Sequence, residues 1–225
     1  MKRRDSITHV IYDLDGLLLD TERLYTEASK IVCSRYGKSF GWSLKTKMMG
    51  RRALDSARTL TEELQLPLTP EEYLQERTAV LDELFPTAQP LPGAVRLTRE
   101  LAERGVPQAV ATSSDRRTFE LKTSPHAQWF AIFGCVVVGD DPAVRHGKPA
   151  PDIFLVAAER MRARPERCLV FEDSPAGVAA AQAAGMRVIA VPDANIDRAA
   201  FPKPDALLSS LEEFDPAEWG LQACR

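Results

Sequence analysis

The chain opens with an apolar, β-branched run, residues 7–12, that stops at Asp13, Leu14, Asp15 and Gly16. The run predicts a buried strand, and Gly16 lets the backbone turn where that strand ends. Neighbouring strand residues face opposite ways, but such a turn can bring both carboxylates toward one pocket. Two adjacent carboxylates out of water need a compensating cation, so we expect Mg²⁺ nearby. An ordinary solvated turn is the alternative, because Asp and Gly favour turns.

The stretch after this strand has helical spacing of its apolar residues and no strand-like run. Ala53–Leu64 gives one helical segment, and Thr69 opens another as an N-cap followed by proline. A purely helical block directly after the first strand favours an inserted cap domain over the carboxyl end of that strand. We therefore predict two domains: a core of residues 1–19 and 90–225, and a helical cap of residues 20–89.

Short apolar runs alternate with amphipathic helical segments in the rest of the chain. Near-continuous apolar strands separated by such helices indicate a parallel sheet covered on both faces. The predicted fold class is α/β, a doubly wound parallel sheet with an inserted helical cap. The predicted strands are Gln108–Ala111, Cys135–Val138, Cys168–Phe171, Val188–Val191 and an edge strand at Ala206–Leu208. The predicted helices are Ala94–Arg104, Arg116–Lys122, Asp152–Met161 and Ala176–Ala184.

Composition limits the functions that this chain can have. Its 225 residues carry a formal charge of −3, so no global basic field exists to hold a nucleic-acid polymer. The four cysteines are spread out without a C-x-x-C pair, which favours core packing in a reducing compartment. We find no secretory signal and no membrane-length apolar window. We therefore expect a cytoplasmic protein that needs no membrane, and nothing demands more than a monomer.

Acids and hydroxyls follow the predicted strands, at the edge where ligands bind in doubly wound sheets. Each has an ordinary explanation alone, such as a helix cap or a solvated lysine. Four strand ends with compatible chemistry make coincidence a poor explanation, and the set suits phosphoryl transfer. The strand-end residues are Asp13, Asp15, Thr112, Ser113, Asp140, Asp141, Glu172 and Asp173, with Lys148 in a loop at the same level.

Such a set can divide phosphate-ester hydrolysis into two easier steps. One aspartate attacks phosphorus and forms an aspartyl-phosphate. The other protonates the leaving oxygen and then deprotonates the attacking water. Lys148 and Mg²⁺ would neutralise the anionic nucleophile and phosphate, because like unit charges ~4 Å apart cost roughly 4 kcal/mol at an effective dielectric of ~20.

Four motifs in order resemble the signature motifs of the haloacid dehalogenase superfamily. The resemblance covers nearly the whole chain, and the helical block matches the inserted cap of that family. It implies that Asp13 is the nucleophile and a metal ligand. It also implies that Asp15 is the general acid/base and binds Mg²⁺ through its backbone carbonyl. The motifs are DLDGLLLDTE at residues 13–22, TSS at 112–114, GKPAPD at 147–152 and FEDSPAG at 171–177.

The same resemblance assigns the remaining core residues. Thr112 and the Ser113 amide hold the phosphoryl group, and Lys148 orients it. Asp173, helped by Glu172, completes the metal site. An aspartate at the Asp15 position is typical of phosphatases and mutases rather than dehalogenases.

Further stretches resemble the subgroup of pseudouridine-5'-phosphatase and plant glycerol-3-phosphatase: MMGRR at 48–52, LKT at 121–123, VGDDP at 138–142 and EWGL at 218–221. Related β-phosphoglucomutases carry a phosphate-binding arginine three residues after the glycine that matches Gly50, where this chain has Ala53. Arg51 or Arg52 can substitute, but the departure favours simple hydrolysis over the mutase alternative. The cap is expected to close over substrate and to set specificity through Glu22 and the turn Gly50, Arg51 and Arg52.

The prediction is a Mg²⁺-dependent phosphomonoesterase acting on a small phosphorylated metabolite. Signalling receiver domains, which also combine acids, a hydroxyl and a lysine around Mg²⁺, are an alternative from another class. Their phospho-acceptor follows the third strand, however, and they lack a helical insertion after the first. Both features count against that alternative.

Overall fold

The computed structural model describes residues 6–48 and 53–221 of the 225-residue chain. The predicted substrate contacts at Gly50, Arg51 and Arg52 therefore lie outside the described residues. The chain divides into two compact units, with boundaries after residue 20 and after residue 88. We call residues 6–20 and 89–221 the α/β unit, and residues 21–48 and 53–88 the helical unit.

The α/β unit is built on a six-stranded sheet in which all paired strands are parallel. The strands in chain order are β1 His9–Tyr12, β2 Gln108–Ala111, β3 Cys135–Val137, β4 Cys168–Glu172, β5 Arg187–Ala190 and β6 Ala206–Leu207. In the sheet their order is β3-β2-β1-β4-β5-β6, so β2 and β3 lie on one side of β1 and the last three strands lie on the other. This is the predicted doubly wound α/β fold, which is confirmed.

Buried side chains cover both faces of this sheet, as its near-continuous apolar strands require. On one face, Ile11 and Val170 belong to a buried cluster with Phe154 and Val178. On the other face, the ring of Tyr12 stacks on Phe171 with centroids 5.3 Å apart. The helices of this unit are α5 Ala94–Glu103, α6 Arg116–Thr123, α7 Ala127–Phe130, α8 Asp152–Arg160 and α9 Pro175–Ala183.

Four α-helices and a short 3-10 helix, Phe85–Thr87, make up the described part of the helical unit, and the predicted all-helical character is confirmed there. The Thr69 side chain caps the fourth of them in a capping box with Glu72, which satisfies two backbone N–H groups at once. In the interior, the Tyr73 hydroxyl donates to Ser29 Oγ at 2.9 Å. The helices are α1 Glu22–Arg35, α2 Trp42–Met48, α3 Ala53–Leu64 and α4 Pro70–Leu84. The use of this unit as a cap stays a prediction.

Among the described residues, none of the helices combines the length and apolar character needed to cross a bilayer.

Candidate active site

The two aspartates of the first motif leave β1 in a compact backbone loop. The carbonyl of Leu14 accepts hydrogen bonds from the amides of Leu18 and Leu19, each at 3.0 Å, and Gly16 N donates back to the Leu19 carbonyl at 2.9 Å. Gly16 has φ +76°, a conformation that glycine adopts without strain. The predicted turn after the first strand is therefore present, and it begins at the two acids.

Lys148 joins this loop to the end of β4. Its ammonium group donates to Asp13 Oδ1, to Glu172 Oε1 at 2.6 Å and to the carbonyl of Ala111 at 3.2 Å. The side chains of Asp13 and Lys148 are only 8% and 7% exposed, and that of Glu172 is fully buried. The sheet explains the convergence, because β1 pairs with both β2 and β4 and their carboxyl ends meet at one edge.

Burial perturbs both members of the Asp13–Lys148 pair. Burial raises the pKa of Asp13 to about 7; Lys148 opposes the rise, and the carboxylates of Glu172 and Asp15 add to it. Burial alone would lower the pKa of Lys148, but Asp13 and Glu172 outweigh it and raise that pKa. Lys148 is therefore held as a cation, and the Asp13 carboxyl lies where further positive charge would stabilise its ionised form.

Glu172 is held in place by protein donors on both of its oxygens. Oε2 accepts from the amide and the hydroxyl of Ser174, at 2.9 and 3.0 Å, while Oε1 accepts from Lys148. The carboxyl group also packs directly against Gly177 in the first turn of α9, where an added β-carbon would overlap it. This arrangement suits a residue that orients Lys148, since none of its oxygens is left without a protein donor.

Asp173 lies beside the first motif, as the predicted metal site requires. A β-carbon placed on Gly16 would lie 3.1 Å from Asp173 Cγ and would overlap the carboxylate oxygen Oδ2. The glycine therefore allows the Asp173 carboxylate to approach the backbone that carries Asp13 and Asp15.

These groups fit a magnesium ion held mainly by solvent and few protein ligands. Within residues 6–48 and 53–221, no set of three His, Cys, Asp or Glu side chains has the geometry of a metal site. The predicted protein ligands are the Asp13 and Asp173 carboxylates and the Asp15 carbonyl, helped by Glu172, and Mg²⁺ usually keeps several waters. Hard oxygen donors and excess negative charge beside Asp13 are what such an ion requires.

Asp15 points into a second hydrogen-bond network. Lys122 Nζ donates to Asp15 Oδ1 at 2.6 Å, and Ser114 Oγ donates to Oδ2 at 2.8 Å. Lys122 also bonds to Ser114 Oγ at 2.8 Å, while Thr112 Oγ1 lies 3.4 Å from Asp15 Oδ2. Both carboxylate oxygens of Asp15 are thus fixed by residues that follow β2.

The two phosphate-binding residues predicted after β2 differ in exposure. Thr112 is fully buried, and its amide donates to the carbonyl of Val137 at 3.0 Å. Ser113 is exposed, and its carbonyl packs against Gly139, where any side chain would collide with it. The close contact with Gly139 fixes the backbone from which the Ser113 amide would serve a ligand.

Among the predicted cap residues, only Glu22 lies in the described part of the chain. It is exposed at the start of α1, and its carboxylate is 3.7 Å from Lys45 Nζ. Lys45 also donates to Thr26 Oγ1 at 2.7 Å. The helical unit therefore contains a small polar cluster at the predicted position of Glu22.

Sequence reasoning missed the contacts that Lys122 and Ser114 make with Asp15. The residues 121–123 pointed only to a subgroup of the family. A usable signal was present, because Lys122 follows the buried Phe119 by three residues and so lies on the buried face of α6. A lysine on such a face needs a partner, which here is Asp15.

Comparison with known proteins agrees with this geometry. The family model described as "Hydrolase: haloacid dehalogenase-like hydrolase" matches residues 7–185. The chain belongs to the haloacid dehalogenase-like hydrolase family. It is 49% identical over 223 residues to (DL)-glycerol-3-phosphatase 1, mitochondrial, of Arabidopsis thaliana, covering 97% of this chain and 75% of that protein. It is 45% identical over 220 residues to a Drosophila melanogaster protein named "Probable pseudouridine-5'-phosphatase", covering 96% and 95%.

A solved structure supports the same family. The crystal structure of a HAD family hydrolase from Deinococcus radiodurans R1, with bound phosphate and sodium, superposes with a TM-score of 0.79 at 26% identity. The match covers 98% of this chain and 99% of that one. The predicted family, fold class and enzyme class, a phosphatase, are therefore confirmed, and the receiver-domain alternative is not favoured.

Proposed function

We propose that this chain is a Mg²⁺-dependent phosphomonoesterase that works through an aspartyl-phosphate at Asp13. The observation that carries the proposal is the buried network of Asp13, Lys148 and Glu172 at the carboxyl edge of the sheet. Buried charges are costly to keep, and perturbed carboxyl groups of this kind concentrate at functional sites.

In the proposed reaction, an Asp13 oxygen attacks phosphorus while the ester oxygen departs. Asp15 gives its proton to that oxygen and later takes one from the water that releases phosphate. Lys148, oriented by Glu172, neutralises charge beside the nucleophile, and Thr112 with the Ser113 amide holds the phosphoryl oxygens. Asp13, Asp173 and the Asp15 carbonyl, helped by Glu172, would hold Mg²⁺, which when bound would supply further positive charge beside the nucleophile and phosphate.

The substrate class is a small phosphorylated metabolite, with glycerol 3-phosphate and pseudouridine 5'-phosphate as first candidates. The names of the relatives at 49% and 45% identity support this choice. Ala53, at the position of the mutase arginine, favours hydrolysis over phosphosugar isomerisation. A monomeric state and a cytoplasmic location stay predictions.

The test is a phosphate-release screen with purified protein and Mg²⁺. Pseudouridine 5'-phosphate, glycerol 3-phosphate, sugar phosphates and nucleotides are compared by kcat/KM, with and without excess EDTA. We expect a preference for one of the first two substrates and loss of release in EDTA that added Mg²⁺ restores. Release that persists after complete metal removal would contradict the metal assignment, and no release from any ester would contradict the proposed function.

A further inference from the structure

Lys122 is the most deeply buried cation beside the proposed reaction centre. Its side chain is fully buried, and it belongs to α6, which contributes no residue to the phosphate or metal groups proposed above. An ammonium group out of water is costly unless its protons are bonded. Lys122 donates to Asp15 Oδ1 at 2.6 Å and to Ser114 Oγ at 2.8 Å.

The contacts form a closed ring around one carboxylate. Lys122 holds one oxygen of Asp15, and Ser114, itself bonded to Lys122, donates to the other oxygen at 2.8 Å. A carboxylate held at both oxygens cannot rotate freely about its Cβ–Cγ bond. The Asp15 side chain remains 25% exposed, although both of its oxygens are bonded.

The structure of α6 holds Lys122 in this position. α6 is capped by the Asp115 side chain, which accepts from Thr118 N at 2.7 Å. Phe119, one turn before Lys122, is buried and packs edge to face on Phe130 with centroids 5.8 Å apart. Lys122 therefore extends from a capped and packed helix and not from a loop, which is the kind of support that a precisely oriented catalytic group needs.

We propose that Lys122, acting with Ser114, is a positioning residue that aims the Asp15 carboxyl group at the leaving oxygen. The inference rests on the proposed function of Asp15 as proton donor. As the bond between phosphorus and the ester oxygen breaks, its electron pair stays on the ester oxygen. That oxygen takes the proton of Asp15 and so forms the new O–H bond. The new bond to phosphorus comes from Asp13. Lys122 touches none of the reacting atoms.

If Lys122 has this role, removing it should lower the rate by a factor that depends on the leaving group. p-Nitrophenolate departs readily without protonation, whereas an alkoxide does not. Misaligning the proton donor should therefore slow alkyl phosphates strongly and p-nitrophenyl phosphate little. A lysine that served only stability would change both substrates by the same factor, through the fraction of folded protein.

The experiment measures single-turnover release of the alcohol, with enzyme in excess, for wild type and Lys122→Met. The substrates are p-nitrophenyl phosphate and whichever of glycerol 3-phosphate or pseudouridine 5'-phosphate wild type hydrolyses faster. We expect the alkyl phosphate to slow by at least about 100-fold and p-nitrophenyl phosphate by less than about 3-fold. Lys203→Met, at an exposed position of the same unit, is the matched control and should leave both rates unchanged.

Ser114→Ala gives a second, milder test that keeps the buried cation. It should slow the alkyl phosphate by about 10-fold and again leave p-nitrophenyl phosphate nearly unaffected. If Lys122→Met does not fold, this variant decides the question. Equal losses on the two substrates, or no loss on either, would overturn the inference. A wild-type protein that releases no alcohol from either kind of ester would instead overturn the proposed function.

Discussion

The α/β unit contains a buried cluster of charged side chains at its proposed site, whereas the ion pairs described in the helical unit are exposed or partly exposed. In the α/β unit, Asp13, Lys148 and Glu172 have side chains that are at most 8% exposed. In the helical unit, the Lys47–Glu63 pair has side chains that are 49% and 44% exposed, although its shortest N to O distance is also 2.6 Å. The same chemical contact therefore occurs with and without water around it.

The difference shows where this chain carries a cost for function. Exposed ion pairs contribute between about 0 and 1 kcal/mol, and water can replace either partner. A buried pair replaces strong hydration, so removing one partner leaves an uncompensated charge. The buried network at the edge of the sheet is thus a poor way to stabilise a fold, and it suits the proposed role of Asp13 as a nucleophile held beside a cation. The predictions below compare matched changes in the two units.

The largest contrast is expected between Asp13→Asn and Glu63→Gln. Both change a carboxylate to an amide, but only Asp13 is the proposed nucleophile. Asp13→Asn should keep the fold and lower kcat by at least about 10,000-fold, because an amide cannot serve as the nucleophile. Glu63→Gln should leave kcat unchanged. Circular dichroism and phosphate release check both, and retained turnover in the Asp13 variant would refute the assignment.

A stability contrast is expected between Lys148→Met and Lys47→Met. Loss of Lys148 leaves Asp13 and Glu172 facing each other without their cation, so the free energy of unfolding should fall by about 3 kcal/mol or more. Loss of Lys47 should change it by no more than about 0.5 kcal/mol. Urea unfolding with EDTA present measures both. Equal changes in the free energy of unfolding would contradict the claim that the buried network depends on its cation more than an exposed pair does.

The raised pKa of Asp13 gives a pH-dependent contrast in the metal-free protein. A carboxyl group whose pKa rises to about 7 on folding contributes most stability below its unfolded value near 4. That contribution is lost as the pH rises through about 7. Between pH 5 and 8, wild type should therefore lose unfolding free energy relative to Asp13→Asn, by at most about 1.4 kcal/mol per pH unit. Parallel pH profiles of the two proteins would contradict the shift.

The smallest expected effect is the interaction energy of the exposed Lys47–Glu63 pair. A double-mutant cycle with Lys47→Met and Glu63→Gln should give about 0.2–1 kcal/mol at low salt and almost nothing in 1 M NaCl. The corresponding cycle for Lys148 and Asp13 should keep most of its interaction energy in salt, because buried pairs are weakly screened. Similar salt sensitivity in both cycles would remove the contrast between the units.

The sequence allowed the sheet and the gathering of Asp13, Lys148 and Asp173 to be predicted, because parallel strands bring their carboxyl ends to one edge. It predicted a helical stretch there but did not separate α2, whose buried residue is Leu44 and which therefore carries little apolar signal. It suggested Glu172 as a metal helper, whereas both of its oxygens accept from Lys148 and Ser174. Such details depend on side-chain directions that periodicity does not determine.

The partners of Asp15 show the same limit. The position of Asp15 could be predicted, because it comes directly after β1. Its contacts depend on how α6 faces the sheet after the turn at Ser114. That orientation is set by packing of Phe119 and by the buried position of Lys122. Local sequence could identify the helix, and only the tertiary structure shows which residue it presents to Asp15.

Trapping the covalent intermediate tests the central claim most directly. Wild-type protein mixed with a substrate from the screen is quenched in acid within one turnover and treated with borohydride, which reduces an acyl phosphate to an alcohol. Peptide mass spectrometry should then find homoserine at position 13 and at no other acidic residue. Reduction at Asp15, Glu172 or Asp173, or phosphate release with no reducible intermediate, would contradict the account.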